Sequence, residues 1–501
     1  MQNNVLNYLY DAVKRTPDKV AYADDDVAYT FKQTDDESAA IASYLASKGI
    51  VKKPVVVFMK KSPKEVITFF GIIRAGSYYV PIDEEMPKGR IQLILDNVKS
   101  PLVICDESTV EIARTFNLYD GEVVLQSDIN TTAKDEKALL DIYHKAIDTD
   151  PIYIVFTSGS TGIPKGVVAC HRSVVEYVEQ LSETLKFNEN TVFGNQSPLY
   201  FDACLKELYP TLKFSATTYL IPRSAFSIPT VLVKYLNDHK INTICWVVSA
   251  LTMISAFGTF DEIKPEYLTT VAFGSEVFPI KQYKLWKEAL PNASFTNLYG
   301  PTEATGMTCF FHVDREFEEG EVIPIGKPFS NREVLLLTDD NKLAVPGEQG
   351  EICIRGTSLT LGYYNDPQRT ADAFVQNPLN TFYPELIYRT GDIGRLNDRG
   401  ELCFVSRKDY QIKHMGHRIE LGEIEVDVAM IEGVKMTACV YDDTKGKIVL
   451  FYVGDLTEKD LIIAMKAALP RYMLPNKTVK LDALPLTANG KIDRVTLKKS
   501  I

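Results

Sequence analysis

The sequence reads as an α/β protein. It comprises a large amino-terminal domain, residues 1–407, and a small α+β lobe, residues 408–501. Three observations predict this. Before residue 400, short apolar runs alternate with amphipathic segments, the texture of parallel strands joined by crossover helices. From Arg332 the texture becomes β-rich, giving a small subdomain over about 320–405. After Ser406–Arg418 comes a self-contained helix-strand-strand-helix pattern of roughly ninety residues. At ~150 residues per domain, 501 residues also exceed what one core serves.

In chain order, PVVVFM (Pro54 to Met59) is a buried strand, and SPKEVITFFGIIRAG (Ser62 to Gly76) is a helix with a serine cap. IYIVF (Ile152 to Phe156) is a second strand, followed after a loop by the helix HRSVVEYVEQLSETL (His171 to Leu185). NTICWVV and TTVAFG continue the strand series. REVLLLTDDNKLAVPGEQGEICIRG places two short strands around an Asp-Asp-Asn turn and a Pro-Gly turn. In the terminal lobe, Ile424, Val428 and Ile431 fall on one helix face. The strands MTACVY and KIVLFYV follow, then a helix around TEKDLIIAMKAAL.

Composition narrows the function classes. Hydrophobic residues make up 45% and charged residues 24%, the balance of a soluble globular chain with ample core. A net charge of -11 provides no field to attract nucleic acid or anionic lipid. Asp11, Lys14 and Arg15 interrupt the amino terminus before an apolar leader can form, and no run approaches ~18 apolar residues. A cytoplasmic protein without membrane insertion is expected. The eight cysteines stand singly, without CxxC, and read as reduced core residues rather than metal ligands.

The segment richest in chemistry is TSGSTGIPKG, directly after the strand IYIVF. Its glycines allow close backbone approach, its hydroxyls supply donors, and Lys165 adds a positive charge, which together suit a polyphosphate. It is not a Walker A loop, because Gly166 follows Lys165 where a magnesium-binding hydroxyl belongs. On composition alone, a phosphate cradle and a surface loop stand level.

With nine further segments, however, the loop resembles the adenylate-forming superfamily, and within it the amino-acid adenylation domains of nonribosomal peptide synthetases. The segments are RAGSYYVPID, YFDACLKELYP, NLYGPTEAT, GEICIRG, YRTGDIGR, SRKDYQIKHMGHRIELGEIE, LPRYMLP and NGKIDR, together with YTFKQT near the start, in the family's order. The resemblance implies activation of an amino acid by ATP and Mg2+ as aminoacyl-AMP with release of pyrophosphate. Transfer to the phosphopantetheine thiol of a carrier protein or domain in trans follows.

The resemblance also assigns roles. Thr157, Ser158, Gly159, Ser160, Thr161 and Gly162 would bind ATP phosphates with Lys165, and Lys491 would be the catalytic lysine bridging carboxylate and α-phosphate. Asn297 would meet the adenine edge, Tyr299 its face, Thr302 a phosphate, and Glu303 the magnesium ion. Asp392 and Arg407 would hold the ribose. Asp409 would be the hinge about which the terminal lobe turns between two half-reactions. Ser406 stands where the family usually has glycine, a cost if that position needs positive φ.

For the amino acid, Asp202 would pair with the α-ammonium group. Ala203, Lys206, Cys245, Val271, Phe273, Leu298, Gly306 and Met307 would line the pocket. Blander readings stand beside these: Asp202 as a helix cap, and Lys206 as its i,i+4 partner. If Lys206 instead faces the pocket, it favours an acidic side chain. The alternatives are a D-alanine–carrier protein ligase, an acyl- or aryl-CoA ligase, and a silent nucleotide-binding scaffold. Gly274, where D-alanine ligases carry cysteine, speaks against the first, and Asp202 against the second.

Overall fold

The computed structural model describes residues 2–159, 163–318, 321–408, 411–486 and 492–501. The chain forms two compact units: Met1–Glu84, Val98–Val155 and Val167–Ser406 in the first, and Glu85–Asn97, Phe156–Gly166 and Arg407–Ile501 in the second. The second unit therefore takes in two segments from the amino-terminal part besides the terminal lobe.

Two parallel sheets organise the larger part of the chain. A nine-stranded sheet runs, in spatial order, Lys327–Pro328, Cys309–His312, Ser294–Tyr299, Thr270–Gly274, Thr243–Val247, Val192–Asn195, Thr217–Leu220, Val20–Ala23 and Ala28–Thr30. Its six inner strands are parallel and its ends antiparallel. A six-stranded sheet runs Glu122–Leu125, Leu102–Cys105, Pro54–Phe58, Tyr78–Pro81, Pro151–Thr157 and Lys165–Cys170. PVVVF is buried at every position, as a central parallel strand requires. The helix Pro63–Arg74 starts where the sequence places it, with the Ser62 hydroxyl accepting from the Glu65 N–H.

The β-rich expectation corresponds to a five-stranded antiparallel sheet. Arg332–Leu337 pairs with Gln349–Gly356, and the long strand Leu386–Leu396 joins Phe374–Gln376 and Leu402–Arg407. In the second unit a hairpin, Gln411–His414 with His417–Glu420, leads into the helix Leu421–Ala429. Three strands, Val434–Asp442, Lys447–Gly454 and Lys477–Lys480, and the helices Glu458–Ala468 and Arg494–Lys499 complete it. Ile424 and Val428 are fully buried there, but the helix ends before Ile431, which packs onto the same core from the following turn. Seven of the eight cysteines are buried and Cys403 is half-buried. Among the described residues, no helix is long and apolar enough to cross a membrane.

The first helix, Leu6–Arg15, buries Leu6, Tyr8, Leu9 and Ala12. Two bonds fasten it to the helix His171–Leu185: the Tyr8 hydroxyl donates to Glu179 at 2.6 Å, and the Val5 N–H donates to Nδ1 of buried His171 at 3.3 Å. Burial lowers the His171 pKa from 6.5 to about 4, and only the neutral ring can accept that N–H. The unfolded chain therefore takes up the proton first, and stability present above pH 6.5 is lost as pH falls toward 4. The thermal midpoint should fall over that window, by an amount equivalent to at most about 3 kcal/mol. His171→Gln should flatten this dependence, and an unchanged slope in that variant would assign it to another group.

Candidate functional site

Asp202 follows the strand Val192–Asn195 and opens a single 3-10 turn, Asp202–Cys204, before the helix Leu205–Phe214. Its side chain does not cap that helix, whose first position has no side-chain cap. The Thr302 side chain and the Gly306 backbone instead lie beside the half-buried carboxyl and favour its charged form. Gly306 reaches that position with φ +72, behind Thr305 at φ +54. Burial raises the Asp202 pKa, against the Thr302 side chain and the Lys206 charge, and the nearby Glu303 charge pushes the same way as burial. Such a carboxylate lacks a compensating cation in contact.

Lys206 is not that cation. It lies on the helix Leu205–Phe214, is 3% exposed, and forms neither an ion pair nor a hydrogen bond among the described residues, so the i,i+4 pairing with Asp202 does not occur. Its charge is felt by Asp202, Glu207 and Cys245, which surround it. Glu207, also buried, accepts from the Asn195 side-chain amide at 3.1 Å, and burial pushes its pKa up to about 7. Lys61 is fully committed elsewhere, donating to the carbonyls of Asn195, Gln196 and Ile221 at 3.1, 3.3 and 3.2 Å.

Strand register corrects part of the expected pocket. Cys245 pairs with Ala272, Ala272 with Thr296, and Gly274 with Leu298, so these residues share one sheet face. Cys245, Ala272, Leu298 and Met307 pack in the core that contains Tyr177 and Cys204. Val271 and Phe273 lie on the opposite face, in a separate core with Trp246 and Phe295, where Phe273 meets Phe278 edge-on at 4.9 Å. Successive strand residues point to opposite faces, and the expected pair is displaced by one. Ala272 and Gly274 occupy the face turned toward Asp202's neighbours. Ala203 stays half-buried in the 3-10 turn, and Gly306 adjoins the Tyr177 ring.

The expected nucleotide residues cluster in part. Tyr299 ends its strand with its hydroxyl donating to Asp392 at 2.5 Å, both side chains being buried. The Asn297 amide donates to the Pro324 carbonyl at 2.9 Å, leaving its oxygen as what it can offer an adenine amino group. Glu303 is fully buried and accepts from the Tyr363 hydroxyl at 2.7 Å. Thr302 lies beside Asp202 and favours its charged form. No group of three metal-ligating side chains gathers among the described residues. A single carboxylate supplies hard oxygen donors, so the arrangement fits magnesium completed by phosphates and water rather than a metal caged by protein.

In the second unit, Thr157 keeps a buried hydroxyl without a hydrogen-bond partner. The Ser158 hydroxyl donates to the Arg418 carbonyl at 2.8 Å, and the Gly159 N–H donates to the Glu423 carboxylate at 3.0 Å. Arg90 pairs with that same carboxylate, whose pKa burial pushes up to about 7 despite the arginine. Glu423 was legible only as part of GEIE, with nothing to connect it to a loop some 260 positions earlier. Lys165 begins a strand half-buried, and Arg407 ends one. Ser406 does not have positive φ, so the missing glycine costs nothing there. Ser160, Thr161, Gly162, Asp409 and Lys491 lie outside the described residues.

Comparison with known proteins adds lineage. A family described as AMP-binding enzyme matches residues 9–364. A plipastatin synthase polypeptide of Bacillus subtilis (strain 168) is 31% identical over 99% of this chain, which spans 14% of that protein. Tyrocidine synthase 1 of Brevibacillus parabrevis is 31% identical over 96% of this chain, which spans 43% of it. The D-alanine–D-alanyl carrier protein ligase of Bacillus cereus (strain G9842) is 31% identical over 97% of each chain. Among solved structures, holo-PA1221, an NRPS protein with adenylation and PCP domains, superposes with TM-score 0.86 at 24% identity, covering 100% of this chain and 84% of that one. The o-succinylbenzoate CoA synthetase of Bacillus subtilis does so with TM-score 0.84 at 20% identity, covering 98% of each. At these identities the superpositions speak for fold alone.

Two substitutions probe this geometry. Asp202→Asn should hold or raise the thermal midpoint, because it removes a carboxylate whose ionised form opposes folding at neutral pH. A drop of several degrees would make Asp202 structural. Val271→Ala should cost roughly 1–3 kcal/mol of stability without altering ligand binding beside Asp202, since the side chain faces the other core. Altered binding with unchanged stability would reverse that assignment.

Proposed function

The chain belongs to the AMP-binding enzyme family, and from that premise we propose that it activates an amino acid with ATP as aminoacyl-AMP, releasing pyrophosphate, and passes it to a carrier phosphopantetheine thiol. The observation that carries this reading is the Asp202 carboxyl, half-buried beside Thr302 and Gly306 and without a cation in contact. A substrate α-ammonium group supplies what it lacks. Fatty and aryl acids have nothing to offer it.

In this reading the substrate carboxylate attacks the α-phosphate, and the chain's work is positioning and charge stabilisation. Lys491 would stabilise the developing negative charge, and the loop from Thr157 to Gly162 with Lys165 would hold the phosphates. Tyr299 and Asn297 receive the adenine, and Asp392 and Arg407 the ribose. Glu303 would hold magnesium, which when bound neutralises phosphate charge. The residues after Arg407 act as a mobile lobe about Asp409, serving the second half-reaction. The carrier is a separate polypeptide or domain, and the setting is the cytoplasm. Lys206 directs selection toward an acidic side chain.

A D-alanine–carrier protein ligase is the second reading, favoured by identity running over 97% of such a protein. Against it, a Cβ at Gly274 would lie 2.3 Å from the Leu298 carbonyl oxygen, so the cysteine of those ligases has no room here.

Amino-acid-dependent ATP/pyrophosphate exchange tests the reaction. Exchange should require magnesium and an amino acid, and equal stimulation by fatty or aryl acids would refute the reading. Lys491→Ala should abolish adenylate formation while ATP affinity and thermal midpoint persist. Glutamate or aspartate should exceed alanine by at least about tenfold, since leaving a buried ammonium unpaired costs ~1–3 kcal/mol, and Lys206→Met should erode the difference. If D-alanine is best and Lys206→Met changes nothing, the D-alanine ligase reading replaces this one.

A further inference from the structure

The helix His171–Leu185 brings a residue to the Asp202 pocket that its sequence context does not single out. Tyr177 is fully buried, yet its hydroxyl has no hydrogen-bond partner among the described residues. Buried hydroxyls are normally satisfied, and an orphan calls for an explanation. The tyrosine is not loosely held. The Arg332 guanidinium lies 5.7 Å from the ring centroid, and the same arginine pairs with Glu176 at 2.6 Å and donates to the Met307 carbonyl. The opposite wall is bare: a Cβ at Gly306 would fall 3.2 Å from the Tyr177 hydroxyl and 2.9 Å from the ring carbon that bears it. Gly306, which lies beside Asp202, thus packs against this phenol without a side chain between them.

The charges around the hydroxyl fix its role. Burial raises the Tyr177 pKa well above 10, and Cys245, Asp202 and Glu207 push it the same way, so the group remains a protonated donor. Those three residues are also the ones that feel the Lys206 charge. Two donors without acceptors, one neutral and one cationic, therefore stand among the same neighbours. Ala272 and Gly274 are the small residues on the sheet face nearby.

We propose that Tyr177 is a specificity-determining residue, donating its hydroxyl, together with the Lys206 ammonium group, to a carboxylate on the amino-acid side chain. This rests on the amino-acid-activating reading above and extends it to a residue outside the expected pocket. A carboxylate accepts from both donors at once. A side-chain amide offers one acceptor and turns an N–H2 toward the other donor, and an aliphatic side chain leaves both donors unsatisfied.

Tyr177→Phe deletes only the hydroxyl. Isothermal titration with glutamate, glutamine and leucine should show glutamate binding weakened about tenfold or more. Leucine binding and the ATP KM should hold, and the thermal midpoint should hold or rise because an unpaired polar group is gone. In exchange kinetics the loss should fall on the glutamate KM rather than on kcat, as for an interaction equal in ground and transition states. The double variant with Lys206→Met should lose less than the two single losses combined, because the two donors share one carboxylate. Unchanged glutamate affinity in Tyr177→Phe, additive losses, or an equal loss for every amino acid with a lower midpoint would overturn the proposal. If wild type exchanges well with apolar amino acids and Tyr177→Phe is silent, this inference fails and the reaction stands. If no amino acid supports exchange, both fail.

Discussion

A half-buried carboxyl at Asp202 with no cation in contact is the constraint around which the larger unit's polar architecture is arranged. Thr302 and Gly306, about a hundred residues downstream, lie beside it and favour its charged form, and the backbone there is left-handed at Thr305 and Gly306 in succession. Left-handed φ at a threonine is sterically disfavoured, and it persists because the surrounding turn over-determines it. The Thr305 hydroxyl donates to the Ser358 carbonyl at 2.8 Å, and the Glu303 carbonyl accepts from the Thr360 N–H, which pins the turn from the neighbouring antiparallel sheet. The turn beside the carboxyl is thus held by a stretch of chain some fifty residues further on.

How much of this was legible follows from which physical periods are local. Helices and strands declare themselves within a dozen residues. PVVVF, SPKEVITFFGIIR and HRSVVEYVEQLSETL therefore stand where their patterns put them, down to the Ser62 cap. The same alternation that reveals a strand makes its facing fragile to a slip of one residue. Val271 and Phe273 read as naturally into a pocket as Ala272 and Gly274, and only the pairing of Cys245 with Ala272 and of Gly274 with Leu298 decides between them. That register is a property of three strands together, which a single sequence does not contain. Ile431 illustrates the converse: its helical spacing is right, but it follows the helix end and reaches the core from a turn.

Motif roles were legible as sets and not as bonds. NLYGPTEAT was identifiable as a unit, yet nothing local says that Thr302 lies beside Asp202 or that the Tyr299 hydroxyl meets Asp392. Likewise Glu423 reads as one more acid in a charged segment, whereas in the second unit its carboxylate is shared between Arg90 and the Gly159 N–H. A carboxylate on a glycine-loop N–H occupies the kind of donor that phosphate uses. Both associations join residues far apart in the chain, at distances where pattern reasoning has no signal.

The buried polar groups also sort by what satisfies them. Lys61 gives its protons to three carbonyls at the ends of two parallel strands, and Arg332 bridges Glu176 and Met307. Removing either would orphan backbone or carboxylate partners within the protein itself, so both groups serve the fold. Tyr177 and Lys206 lie in the same interior with no acceptor among the described residues, while Asp202 has no cation in contact. Folding alone gives no reason to keep such groups in a core, since apolar residues of similar size would stabilise it more. Their unmet valences are complementary in sign: a cation is wanted beside Asp202 and an acceptor beside Tyr177 and Lys206. One small zwitterion carrying an additional carboxylate satisfies all three, so the chemistry the fold leaves unfinished describes the ligand.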